Sequence, residues 1–318
     1  MGSIALAIHG GCGVMAKLDL TEEEWIAARA DLAKALRAGW KVLSSGGSAL
    51  DSVEAAVLVM EDSPHFNAGH GAALTVAGTH ELDAAIMDGS NLAAGGVTGV
   101  TRIRNPIKAA RAVMVHDDCV LLAGPAADEF ARTAGLEIVD PSYFTTSKRE
   151  KALAAMKAHA AAGTAAAASE SEKHGTVGAV ALDAAGHLAA ATSTGGYNNK
   201  PLGRIGDTPI PGAGTYARDG VCAVSGTGKG EYFIRHAVGH EIASRIAYLG
   251  ESVETAAAKV IHEDLKPHKI GAGLVAIGAD GSITAPYNTD GMFRGWVTPE
   301  GKFFVGSHGE VFEVGAEA

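Results

Sequence analysis

Cysteine is scarce in this chain. Only Cys12, Cys119 and Cys222 occur, scattered and without CxxC spacing. An odd number cannot all pair within one chain, which excludes a disulfide framework, and the spacing excludes a zinc ribbon. Basic runs are missing as well, and the formal net charge of −10 leaves no surface suited to nucleic-acid phosphates. No uninterrupted apolar stretch reaches the ~18 residues needed to cross a bilayer. The N-terminus has no basic leader segment: Ile4-Ala5-Leu6-Ala7-Ile8 runs directly into His9-Gly10-Gly11, which reads as a buried first strand rather than a signal peptide. These absences together point to a cytoplasmic, reducing setting.

What the sequence has in quantity is small residues. Of its 318 residues 47% are hydrophobic, much of that alanine, and 42 glycines accompany them, so closely packed layers joined by tight turns are expected. Thr21-Glu22-Glu23-Glu24 has capping-box spacing, and the helix it opens carries Trp25, Ala28, Leu32, Leu36 and Trp40 on one face before Gly46-Gly47. Ser48 or Asp51 starts a second helix reaching about Met60, and Asn105-Pro106 reads as N-cap and N1 of a third. From Lys151 to Glu172 the chain is mostly alanine; its first part can be helical and its end reads as an accessible linker. Two hairpins follow, Val177–Asp183 with Leu188–Thr192, and Gly273–Ile277 with Ile283–Ala285. A strand is expected over Val221–Ser225 and one helix from Glu231 to about Leu249. Helices gather in the first half and paired strands in the second, so the expected fold class is layered α+β with antiparallel sheets.

The most informative segment is Lys173-His174-Gly175-Thr176-Val177. Gly-Thr-Val is an ordinary way to begin a buried strand. It is also what a self-cleaving chain needs: an internal Thr hydroxyl is a poor nucleophile, whereas a new α-amino group, titrating at roughly 7.7–8.0, can take the hydroxyl proton near neutrality. Three glycine-bounded polar clusters lie downstream: Thr192-Ser193-Thr194-Gly195-Gly196, Gly203-Arg204-Ile205-Gly206-Asp207 and Ser225-Gly226-Thr227-Gly228-Lys229-Gly230-Glu231. Arg204 and Asp207 can form a plain surface ion pair, or grip a zwitterion by its carboxylate and its ammonium. Thr227-Gly228 can present a hydroxyl and a backbone N–H to an oxyanion. Neither the Walker pattern nor GxGxxG is met by the glycines around Lys229. His236 and His240, four apart on a helix, could face one metal ion, but the order is wrong for HExxH and the reading as a helix-face pair is preferred.

These segments in this order resemble the plant-type asparaginase and isoaspartyl-peptidase family of N-terminal nucleophile hydrolases. The likeness runs from Ile8-His9-Gly10-Gly11 through Phe66-Asn67-Ala68-Gly69, Glu81-Leu82-Asp83-Ala84, Met87-Asp88-Gly89 and Asn105-Pro106 to Gly175–Asp183. It continues through the three clusters to Asn288-Thr289-Asp290-Gly291-Met292. The resemblance implies a single domain over 1–318 with a four-layer αββα sandwich, cut between Gly175 and Thr176 into subunits 1–175 and 176–318. It implies Thr176 as nucleophile, Thr194 as its hydrogen-bonding partner, and Thr227 and Gly228 as the oxyanion hole. Arg204, Asp207, Gly228 and Gly230 would bind substrate, and Asn67 would position the nucleophile. No organic cofactor is implied, but a structural sodium ion is, held by main-chain carbonyls of Met60, Glu61, Ser63, Phe66, Ala68 and His70. The implied substrates are L-asparagine and β-aspartyl dipeptides, hydrolysed through a β-aspartyl ester, and the implied assembly is a dimer of αβ heterodimers. A glycosylasparaginase-like amidase and an unprocessed amino-acid-binding relative are the alternatives. Three positions depart from the family pattern: Cys12, Lys229 and the Tyr197-Asn198 loop. None is an assigned catalytic residue.

Overall fold

The computed structural model describes residues 3–13, 20–116, 118–162, 175–298 and 300–316. Lys173, His174 and the end of the alanine-rich stretch lie outside the described residues.

Strand β1 (Ala5–Gly13) opens the chain, and every residue in it is buried. Its alternate residues serve two cores: Leu6 and Ile8 face one, Ala5 and Ala7 the other. Helix α1 (Glu22–Ser44) begins as expected, with Thr21 Oγ1 accepting from the Glu24 amide and the Glu24 carboxylate accepting from the Thr21 amide. Its end is closed by Gly46 and Gly47, whose amides donate to Leu43 and Val42. Ser48 caps α2 (Ala49–Glu61). Strands β2 (Leu82–Asp88) and β3 (Ala94–Val100) pair antiparallel, and α3 (Pro106–His116) packs on them. A short β4 (Leu121–Ala123), α4 (Gly124–Thr133) and α5 (Ser147–Ala161) complete the first half. The helical part of the alanine-rich stretch is therefore α5.

The second half supplies the hairpin β5 (Val177–Leu182) and β6 (Leu188–Thr194), then β7 (Thr215–Arg218) and β8 (Cys222–Gly228). After α6 (Gly230–His236), α7 (Val238–Leu249) and α8 (Val253–Lys259) come β9 (Ala272–Gly278), β10 (Ile283–Thr284), β11 (Gly291–Val297), β12 (Phe303–Gly306) and β13 (Val311–Val314). One nine-stranded sheet has the order β13-β12-β11-β1-β5-β6-β2-β3-β4, and one four-stranded sheet the order β10-β9-β8-β7. All pairings are antiparallel except β3 with β4. Helices α1, α2 and α3 cover one face of the large sheet around Leu32, Leu36, Val53 and Ile107. The small sheet packs on its other face, with β1 and β5 against β8 and β9 and β6 against β7 and β8, and α7 and α8 lie against the small sheet. The fold class is α+β. Alanines at 179, 181, 189, 190 and 191 lie in the central strands of the large sheet, which is how so much alanine becomes interior.

Three details differ from the sequence reading. Strands β2 to β4 belong to the first half and α6 to α8 to the second, so helices and strands are not segregated along the chain. The single helix expected from Glu231 is two, broken at Ala237 in the left-handed region (φ 46°, ψ 49°). The break is repaired from a distant loop, because the Gly239 and His240 amides that open α7 donate to the carbonyls of Ala213 and Gly212. At α3, the Ile107 amide is taken by Glu61 Oε1, while the Asn105 side chain donates to Asp62. The cap comes from another helix rather than from Asn105.

Candidate active site

The β5–β6 hairpin creates the central contact. Its register pairs Val177 with Ser193 and Gly178 with Thr192, so the next step along β5 brings Thr176 opposite Thr194. There the Thr176 hydroxyl donates to Thr194 Oγ1 at 3.0 Å, both side chains being buried. Thr194 Oγ1 also accepts from the Gly196 amide at 3.0 Å. That turn is pinned by Asn67: its Nδ2 donates to the Gly196 carbonyl at 2.6 Å, its carbonyl accepts from the Gly195 amide, and its Oδ1 accepts from the Ala73 amide. Asn67 thus fixes the strand end that carries Thr194.

The bond before Thr176 is held from both sides. Gly175 has φ 154°, and a Cβ there would stand 3.2 Å from Asn67 Cβ. On the opposite flank Gly11 approaches so closely that a Cβ on it would lie 2.6 Å from Gly175 Cα and 3.2 Å from the Thr176 nitrogen. Only glycine permits this approach. Next to it, the Cys12 amide donates to Thr227 Oγ1 at 3.4 Å, and Gly228 ends β8 with φ 133°. The strand end bearing Thr227 and Gly228 is therefore stitched to the end of β1 that touches the Gly175–Thr176 bond.

Arg204 and Asp207 do not form the surface pair that their spacing allowed. Asp207 is buried, its carboxyl pushed up to about 7 by desolvation, with Arg204 pulling the other way, and its Oδ2 has no hydrogen-bond partner among the described residues. Arg204 Nε instead donates to Glu231 Oε1 at 3.0 Å, and its guanidinium lies 4.8 Å from the Tyr197 ring centre. Gly230 lies between them: a Cβ there would meet Asp207 Oδ1 at 2.6 Å and Arg204 Nη2 at 3.0 Å. A guanidinium and a carboxyl group without a mutual bond therefore border the same small-residue niche, as recognition of a paired carboxylate and ammonium requires.

Several contributors lack an assigned role in the sequence reading. His9 is fully buried with Nε2 2.9 Å from Ser225 Oγ; burial chiefly, against a backbone hydrogen bond to Thr176, pushes its pKa down to about 3, so the ring is neutral. Ser225 Oγ lies 2.7 Å from Thr192 Oγ1, which accepts from Thr215, whose hydroxyl also reaches the Thr208 carbonyl. A buried hydroxyl chain thus runs from His9 through Ser225, Thr192 and Thr215 to the residue after Asp207. Glu61 Oε1 accepts from Ser193 Oγ at 2.6 Å, tying α2 to the residue beside Thr194. Lys200 is buried and donates to the Glu81 carbonyl at 2.7 Å. The advance signals were polar residues inside apolar strands for Thr192 and Ser225, an acid ending an apolar helix for Glu61 and, for His9, its place before Gly10-Gly11.

His236 and His240 do not converge on one ion. His236 Nε2 lies 3.0 Å from His268 Nε2, whereas His240 meets Ser244 and Tyr216. Among the described residues no group of three or more His, Cys, Asp or Glu side chains is placed to hold a metal. All three cysteines are free, and no helix of the described residues is long and apolar enough to cross a membrane.

An α+β fold that brings a glycine-preceded threonine, a second threonine and a niche bordered by guanidinium and carboxyl into one site is that of a hydrolase. The chain belongs to the Asparaginase family, whose model matches residues 2–305. It is 46% identical over 299 residues to the isoaspartyl peptidase of Escherichia coli, covering 93% of each chain. It is 44% identical over 299 residues to the isoaspartyl peptidase of Salmonella typhimurium, covering 93% of this chain and 96% of that one. To the isoaspartyl peptidase/L-asparaginase of Mus musculus it is 39% identical over 290 residues, covering 91% and 86%.

Proposed function

We propose that this protein is an autoprocessed hydrolase of the β-amide of L-asparagine and of the isopeptide bond of β-aspartyl peptides, with Thr176 as its nucleophile. The observation that carries the reading is the Thr176 to Thr194 hydroxyl contact at 3.0 Å on a strand preceded by Gly175. Cleavage after Gly175 frees the Thr176 amine, which takes the hydroxyl proton as Oγ1 attacks the β-carbonyl carbon. Thr194 orients the hydroxyl, while Thr227 and the Gly228 amide stabilise the oxyanion. The C–N bond breaks, the leaving amine takes the proton, and water then hydrolyses the β-aspartyl ester to aspartate and free Thr176. Arg204 holds the α-carboxylate and Asp207 the α-ammonium. Because those contacts go to the aspartyl part, both ammonia and a peptide amine can depart.

The family resemblance implies a sodium ion, bound through neutral oxygens, at residues 60–70, of which Met60 and Glu61 close α2. Within that segment the Glu61 carbonyl accepts from the His70 amide at 2.7 Å, which folds the chain back on the end of α2. Carbonyls of Met60, Glu61, Ser63, Phe66, Ala68 and His70 would hold the ion, and its role would be to stiffen the loop that carries Asn67. The helices on the outer faces of the two packed sheets support an αββα sandwich as one domain over 1–318. Free thiols at 12, 119 and 222 support a reducing, cytoplasmic setting. Exposed Leu92, Val115, Val120 and Leu121, around the β4 edge, support assembly as a dimer of αβ heterodimers.

Mass spectrometry of the purified protein tests the reading. Chains ending at Gly175 and beginning at Thr176 are expected, with release of aspartate from asparagine and from β-aspartyl dipeptides. Thr176→Ala should give an intact chain without turnover; an uncut wild-type protein with full activity refutes the mechanism.

A further inference from the structure

Lys229 stands directly between Gly228, assigned to the oxyanion hole, and Gly230, which borders the Arg204–Asp207 niche. Its backbone is fixed, the amide donating to the Gly271 carbonyl at 3.1 Å and the carbonyl accepting from the Tyr232 amide at 3.0 Å. Its ammonium lies 4.9 Å from the centre of the Tyr197 ring, the same ring that Arg204 approaches at 4.8 Å. One carboxylate serves both cations: Glu231 is 3.0 Å from Arg204 Nε and 3.5 Å from Lys229 Nζ. The rim of the site thus carries two positive groups on one aromatic plate, with Glu231 shared between them and the Asp207 carboxyl near Arg204.

The two cations differ in depth. The Arg204 side chain is 13% exposed and that of Lys229 35%. A β-aspartyl dipeptide has two carboxylates, one on the aspartyl α-carbon and one at the end of the departing residue, whereas asparagine has only the first. With the inner cation engaged by the aspartyl carboxylate, the outer and more exposed one, next in sequence to Gly228, is the group placed to meet a second anion. We propose that Lys229, steadied on Tyr197, recognises the terminal carboxylate of the departing residue and makes the free dipeptide the preferred substrate. This rests on the function proposed above.

The test compares β-aspartyl-leucine, β-aspartyl-leucinamide and L-asparagine on the processed wild type, Lys229→Met and Lys229→Arg. For the wild type a KM about tenfold lower for the free acid than for the amide is expected, the size of one charge-assisted hydrogen bond at a partly exposed site. Lys229→Met should bring the two dipeptides to equal KM, and Lys229→Arg should keep most of the gap. Equal KM for acid and amide in the wild type, or an equal rise for both in Lys229→Met, overturns the proposal while leaving asparagine hydrolysis as evidence for the underlying function. A processed wild type that hydrolyses none of the three refutes both.

Discussion

At the scale of single residues, the site is governed by how closely backbones approach and by what burial does to charge. Gly230 is the sharpest case of approach. Gly230→Ala places a methyl group 2.6 Å from Asp207 Oδ1 and 3.0 Å from Arg204 Nη2. Steady-state kinetics should show KM for asparagine raised about tenfold or more, the cost of 1–3 kcal/mol of overpacking, with processing retained. Asp207 is the case of charge. Burial raises its pKa from 3.8 to about 7, so in the free protein its stabilising contribution is complete below pH 3.8 and lost as pH rises through about 7. Binding has the opposite sign, since only the carboxylate attracts an ammonium. Calorimetric affinity for L-aspartate should therefore fall as pH drops from 8 to 5.5, and in Asp207→Asn it should be weak with that part of the pH dependence gone. Thr176, Thr194, Arg204 and Asp207 could be singled out as candidates because their residue types sit in short segments beside glycines that match the family's motifs. His9, Cys12 and Glu61 were not, because their partners Ser225, Thr227 and Ser193 lie 216, 215 and 132 positions away.

At the scale of elements, local signals were read well where the chemistry is local. The Thr21 capping box is present with both of its hydrogen bonds, and Thr21→Ala should lower stability by about 1 kcal/mol in chemical denaturation with activity unchanged. The hairpin turns at Gly186 and Gly281 likewise fall where expected, each closed by its own backbone bond. Failures occur where a distant group decides. Nothing around Ala237 signals a left-handed residue; the break holds because the carbonyls of residues 212 and 213 satisfy the first amides of α7. α3 begins at Pro106 as expected, but the side chain that caps its Ile107 amide is Glu61, 46 residues upstream.

For the whole molecule, the consequence of cutting at Gly175 follows from sheet order. Strand β5 lies between β1 and β6, and β6 pairs with β2, so both strands that flank the β5–β6 hairpin within the large sheet belong to the 1–175 portion. The two fragments should co-elute in native size exclusion and separate only under denaturing conditions. Elution of either fragment alone from the native column contradicts that expectation. Light scattering on the same sample measures whether two such pairs associate.

The sequence by itself determined most elements, the cap of α1, the hairpin turns and the residue types available for chemistry, because those depend on neighbours within a few positions. It also determined family membership, through ordered motifs spread along the chain. Only the tertiary structure decided which of those residues meet. The register of β5 on β6 sets Thr176 opposite Thr194, Asn67 pins that strand end from a separate loop, and burial turns Asp207 from half of an ordinary ion pair into a carboxyl poised near neutrality. Those outcomes depend on long-range packing and on desolvation, neither of which is written in any short stretch of the chain.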